Sequence, residues 1–154
     1  MNYEDSTLIQ HPDGVQEWVD SESRLHRIYG PAIIYPDTGL ERWFYHGLLH
    51  RVDGPAYILP DGTQEWWQNN ERHREDGPSI INPDGSQIWY LNGKLHREDG
   101  PAVIDADGYR AWFINGNAIS EKDIDDWRYE YNISFDYNNW TDREKMLFKL
   151  KFLC

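Results

Sequence analysis

Up to about Gly116 the chain is a succession of short alternating arms, PAIIY, PAYIL, PSIIN and PAVID, each followed across a Gly-containing turn by an arm ending in aromatics, such as TQEWW and SQIWY. Alternation at period two in Ile, Val, Trp, Tyr and Phe predicts half-buried strands rather than helices. Five hairpins follow: STLIQ-HPDG-VQEWV, PAIIY-PDTG-LERWF, PAYIL-PDG-TQEWW, PSIIN-PDG-SQIWY and PAVID-ADG-YRAWF, the second with one extra residue, Thr38. Loops such as Pro83-Asp84-Gly85 suit a type I turn closed by a residue at positive φ. From that loop the register sets Ile81 opposite Gln87, Ile80 opposite Ile88 and Ser79 opposite Trp89. The same count sets Ala32, Ala56 and Ala102 opposite Trp43, Trp66 and Trp112.

Directly opposed residues share a face. One face, here the regular face, carries the Trp column, the Ala/Ser column and Ile34, Ile58, Ile81 and Ile104. The other, the variable face, carries Ile33, Tyr57, Ile80 and Val103 with Phe44, Trp67, Tyr90 and Phe113, and mixed residues Arg42, Glu65, Ile88 and Ala111. Between hairpins, His46-Gly47, Asn69-Asn70, Asn92-Gly93 and Asn115-Gly116 fall where left-handed backbone is needed. The expected architecture is mostly β, a single-layer twisted antiparallel meander.

The hairpins also repeat. His26, His50, His73 and His96 are 24, 23 and 23 residues apart, and Trp18, Trp43, Trp66, Trp89 and Trp112 step by 25, 23, 23 and 23. Such a period marks an array whose units bury their apolar faces only against neighbours. Residues 1–119 form the array. Ile119 and Ser120 then stand where His and Arg would recur, and residues 120–154 read as a helical cap. Ser120 with Asp123 starts one helix with the stripe Ile124, Trp127 and Tyr131. Thr141 with Glu144 starts a second through Met146, Leu147 and Leu150 toward Phe152, with Lys149 and Lys151 near its end, where the dipole favours them. These helices cover the open end of the sheet. Folded over the variable face, they would bury it under Trp127, Leu147 and Leu150; placed elsewhere, they leave it to a partner.

At 154 residues there is room for the array and its cap only, and the net charge of -12 argues against direct nucleic-acid binding, which is driven by Lys and Arg. The one cysteine, Cys154, allows no disulfide framework or cysteine metal site within a chain. No secretory signal or membrane-length apolar run is legible. A cytoplasmic protein without membrane insertion is the expectation.

The stretch WYLNGKLHREDGPAVIDADG, residues 89–108, resembles the MORN family of β-hairpin repeats in its aromatic strand, NGK turn, Gly-containing link, second strand and DG turn. Its HREDGPA link is similar to a divergent MORN-variant group, some of whose members are labelled antitoxin-like and many of which are viral and bacterial proteins. The resemblance covers about Thr7 to Gly116. It implies an elongated sheet acting in protein association or membrane apposition, with no catalytic residues to transfer. Pro55, Pro78 and Pro101 depart from the usual unit, and the lack of basic surface argues against the membrane role.

The repeated His and Arg suggest a metal, but equivalent residues two strands apart lie roughly 9 to 10 Å apart, and zinc ligands must each sit about 2 Å from the ion. The structural reading has each His packing on the next unit, the Asp of the motif capping the Gly-Pro turn and the Arg paired with a carboxylate. No phosphate loop or nucleophile motif is present, so no catalytic residue, cofactor or metal is expected. The first expectation is a protein-interaction module that binds and inhibits a host or cognate protein through Phe44, Tyr57, Trp67, Tyr90 and Phe113, with self-association left open. One alternative sequesters a nucleotide-like small molecule through Arg27, Arg51, Arg74 and Arg97 with His50, His73 and His96. Another is an acidic mimic of DNA, since residues 1–119 hold 19 acidic and 9 basic side chains.

Overall fold

A computed structural model describes residues 6–153; Cys154 and the first five residues lie outside the described residues. The described chain is mostly β, with seventeen short strands followed by helices α1 (Glu121–Tyr131) and α2 (Asp142–Phe152). Eleven strands form one antiparallel meander in which each hairpin pairs with the next. The register agrees with the turn count, Ile80 facing Ile88 and Ile81 facing Gln87. It runs on across hairpins, so Ile34, Glu41, Ile58, Gln64, Ile81, Gln87 and Ile104 form one cross-strand row. Ile33, Arg42, Tyr57, Glu65, Ile80, Ile88 and Val103 form the adjacent row on the other face.

The turns carry that register. Gly14, Gly39, Gly62, Gly85 and Gly108 all close their loops at positive φ, and the carboxylates of Asp13, Asp61, Asp84 and Asp107 each accept the backbone N–H two residues on. In the enlarged loop, the Thr38 hydroxyl takes over that acceptor role for Leu40. Where Ala106 replaces the loop proline, its extra N–H donates to Ser86 Oγ of the preceding hairpin. Deleting the proline therefore leaves no orphan donor.

The expected opposition of Trp43, Trp66 and Trp89 to Ala32, Ala56 and Ser79 is displaced. Ala32, Ala56 and Ser79 donate their N–H to the residue before the Trp, at Arg42, Glu65 and Ile88, while Trp43, Trp66 and Trp89 donate to the carbonyls of Ala56, Ser79 and Ala102 in the following hairpin. The shift resembles a β-bulge, with two residues of one arm against one of the other. It ends the main ladder at the Trp and commits that residue's N–H to the next unit. Beyond it the chain forms small two-strand hairpins, Phe44–Tyr45 with Leu48–Leu49, Trp67–Gln68 with Glu71–Arg72 and Tyr90–Leu91 with Lys94–Leu95. Their turns use the left-handed residues His46, Asn69, Asn70 and Asn92. Each turn also donates back to the previous unit, Gly47 to Leu25, Asn70 to Leu49 and Gly93 to Arg72.

Both helices begin at the caps read from sequence: Ser120 Oγ accepts the N–H of Asp123, and Thr141 with Glu144 closes a capping box. Ile124, Trp127, Ile133, Tyr137, Trp140 and Phe148 form one core with Ile114, against which Ile104, Trp112, Ile119 and Leu147 pack. Every sheet residue in this set shares the parity of Ile104 and Trp112. The helices thus cover the regular face of the last hairpin and leave the variable face alone. Ile124 and Trp127 of the first expected stripe are buried, and Leu147 of the second packs on this core, but the ends of both stripes turn outward. Tyr131, Met146 and Leu150 are exposed, while the fully buried residue of α2 is Phe148. The Phe148 and Phe152 rings, one turn apart, meet Trp127 edge-on at 5.4 and 6.0 Å. Flat rings fit that indole, and this fit sets which face of α2 turns inward.

Candidate interaction surface

The four His-Arg-x-x-Gly-Pro links, with Asp before the Gly in the last three, build one arrangement repeatedly. The guanidinium carbons of Arg27, Arg51, Arg74 and Arg97 lie 3.8, 4.2, 4.1 and 4.0 Å above the rings of Trp18, Trp43, Trp66 and Trp89. Nη1 of each donates to the carbonyl of the motif proline four residues on. Nε of Arg51, Arg74 and Arg97 donates to Asp53, Asp76 and Asp99 at 2.9, 2.8 and 2.7 Å. The Arg-carboxylate pairing expected from the motif is present, but its Asp binds the Arg rather than capping the turn. Arg51 and Arg74 in turn hold the carboxyls of Asp53 and Asp76 below the usual carboxylate range. The motif glycine closes the stack from the other side: a Cβ at Gly54 would stand 2.8 Å from the Arg51 guanidinium carbon, and one at Gly77 3.2 Å from that of Arg74.

The histidines tie one unit to the next. Nδ1 of His26, His50, His73 and His96 accepts the backbone N–H of His46, Asn69, Asn92 and Asn115, the first left-handed residue of the following turn, at 3.1 to 3.2 Å. Among the described residues no group of three His, Cys, Asp or Glu could hold a metal ion, and no helix is long and apolar enough to cross a membrane. The expected ligand-clamping set thus occupies the joints between units, with Nη1 of each Arg and Nδ1 of each His bonded to other parts of the chain, while Arg51, Arg74, Arg97, His50 and His96 also line surface grooves.

The variable-face residues come together differently. Arg42 lies 4.4 Å over the Tyr57 ring and donates to its hydroxyl at 2.8 Å. Trp67 Nε1 donates to Glu65, and Arg72 reaches both the Trp67 ring at 4.8 Å and the Tyr90 ring at 5.6 Å. Tyr57, Trp67 and Tyr90 thus belong to one patch, laced by two arginines and a carboxylate. Phe44 and Phe113 share their half-buried state, and all five stay within reach of solvent. Of the two phenylalanines, Phe44 pairs with Leu49 and Phe113 with Ala118, outside the laced patch.

Two features were missed. Ile28, Tyr29 and Val52 stand where later links carry acids, and they are 48, 73 and 77% exposed beside a groove that Tyr45 and Trp43 also line. In the later groove the same positions are Glu75, Asp76, Glu98 and Asp99, joined by Lys149 from α2, which pulls the Glu98 carboxyl below its usual range. The departure of HRIYG and HRVDG from HREDG was a legible signal for this apolar end. The second feature is a polar cluster around Asp20, whose side chain is 4% exposed and accepts from His46 Nδ1 and from the backbone N–H of Glu22 and Arg24. The His46 hydrogen bond, against the opposing pull of burial and with help from Arg24, holds that carboxyl well below the usual range. The His46 ring also stacks on buried His26 at 4.1 Å. Nothing in the local sequence pairs Asp20 with a residue 26 positions away. No protein-family model matches the chain, and no curated protein matches it.

Proposed function

We propose that the chain is a non-enzymatic protein-binding module of MORN-like hairpins, whose variable face receives a host or cognate protein and inhibits it. The observation that carries this reading is the patch of Tyr57, Trp67 and Tyr90, braced by Arg42 and Arg72 and left uncovered by helices that pack on the opposite face. Large aromatics and arginine supply most binding hot spots, and bracing lowers the entropy lost on association. The chain's negative charge favours a basic partner surface. Against the nucleotide-sequestering alternative stand Arg51, Arg74 and Arg97, each already held by an indole, a carboxylate and a carbonyl. The test is capture from lysate of the source cells with wild type, Trp67→Ala and Tyr90→Ala, followed by affinity measurement on the recovered partner. The expected loss is ~2 kcal/mol or more of binding per variant with circular dichroism unchanged. Wild-type affinity in both variants would remove the variable face as the site.

A further inference from the structure

The helical cap holds a guanidinium whose recognition edge is unused. Arg128, in α1, is 7% exposed, and its Nη1 donates to Asp125 Oδ1 at 3.2 Å. Nε and Nη2 are inaccessible and have no hydrogen-bond partner among the described residues. These two nitrogens form the side of the fork that grips both oxygens of a planar oxyanion. A buried donor left without a partner is destabilising, and more so when the group is charged. Burial accordingly pulls the guanidinium pKa down, only partly opposed by Asp125. Among the described residues of the cap, Arg128 is the one buried charged side chain, and besides its two nitrogens the other buried donor there without a partner is Trp127 Nε1.

Arg128 also lines a cavity of about 490 Å³ with Tyr129, Asn132, Ser134, Phe135 and Glu144, a size within the usual range for small-molecule sites. The Phe135 ring lies directly over the guanidinium, 3.2 Å from its carbon, yet is itself 70% exposed, and Tyr129 is 78% exposed. An exposed ring covering a buried cation has the form of a lid. We propose that this cavity binds a carboxylate carried on an aromatic or apolar group, its two oxygens on Nε and Nη2 of Arg128 and its apolar body against Phe135 and Tyr129 after the Phe135 ring swings aside. A carboxylate is favoured over a phosphate because Asp125 already faces the guanidinium and Glu144 lines the cavity. A monoanion meets less repulsion there than a dianion. The site lies in the cap, on the face opposite the aromatic patch, and does not depend on the partner-binding reading.

The test uses the full chain with labelled arginine side chains, titrated separately with benzoate, N-acetylphenylalanine and inorganic phosphate, and follows the Arg128 Nε–H resonance by NMR. The two carboxylates distinguish a free aryl acid from a peptide C-terminus as the source. Saturable movement of that resonance by at least one carboxylate, at lower concentration than any effect of phosphate, is the expected result. Arg128→Lys keeps the charge but loses the fork, and should weaken binding measured by calorimetry at least about tenfold. Phe135→Ala, an exposed position that leaves the core intact, should change the affinity while the Arg128 resonance still responds. An Arg128 resonance unmoved by both carboxylates overturns the assignment, as does tighter binding of phosphate or full retention of carboxylate affinity in Arg128→Lys.

Discussion

Arginine lies over aromatic rings in two parts of the array, with different consequences. Above Trp43, Trp66 and Trp89 the guanidinium is closed in by a glycine, bonded to its motif Asp and tied to a proline carbonyl. Above Tyr57 and Trp67 it is half open: Arg42 and Arg72 bind the ring or a neighbouring carboxylate, and no backbone carbonyl clamps them among the contacts of the described residues. The same pair of side chains serves as a rivet where the backbone encloses it and as a braced surface where it does not. Adjacent residues can therefore fall into opposite roles, as Trp66 and Trp67 do.

The largest expected effect is on the riveted side. Trp89→Ala removes the ring beneath Arg97 at a joint that also meets Tyr137 of the cap, and should cost about 3 kcal/mol in urea unfolding. A smaller loss, about 1–2 kcal/mol, is expected for Gly54→Ala, whose Cβ would push the Arg51 guanidinium off Trp43. Because Arg51→Ala empties the same stack, the double variant should cost little more than the worse single one. Additive losses in that cycle would mean that the glycine acts on the backbone and not through the arginine.

A third effect appears only in acid. The carboxyls of Asp20, Asp53 and Asp76 are held below their ordinary range by His46, Arg51 and Arg74 respectively, so the folded chain binds these protons less readily than the unfolded one. The stability they contribute is complete above about pH 4 and drains away as the pH falls through the lowered folded values. Asp76→Asn and Asp20→Asn should each flatten the acid limb of a stability-versus-pH curve, and Asp20→Asn should do so more strongly. An unchanged limb in Asp20→Asn would show that the His46 contact carries no linkage.

Much of the sheet was legible because its turns are local. Positive-φ glycines and asparagines, Asx carboxylates and two-residue alternation act within a few residues, and Ile80 and Ile88 meet where the count puts them. The displaced Trp register was not legible, since it is decided by a carbonyl in the next hairpin, as when Trp66 N–H donates to Ser79. The choice of Phe148 over Leu150 was hidden for a similar reason: both lie on an amphipathic pattern, and only the position of the Trp127 indole decides between them. At the candidate surface, Tyr57, Trp67 and Tyr90 could be named from irregularity along the array, whereas the long-range Asp20–His46 contact and the unmatched Arg128 fork depend on tertiary placement.

The division between rivet and surface is tested most directly at two neighbouring indoles of equal size. Unfolding free energies of Trp66→Ala and Trp67→Ala should differ, the first falling by at least ~2 kcal/mol more than the second, because only Trp66 lies under a clamped guanidinium. Equal losses, or a greater loss at Trp67, would contradict the account.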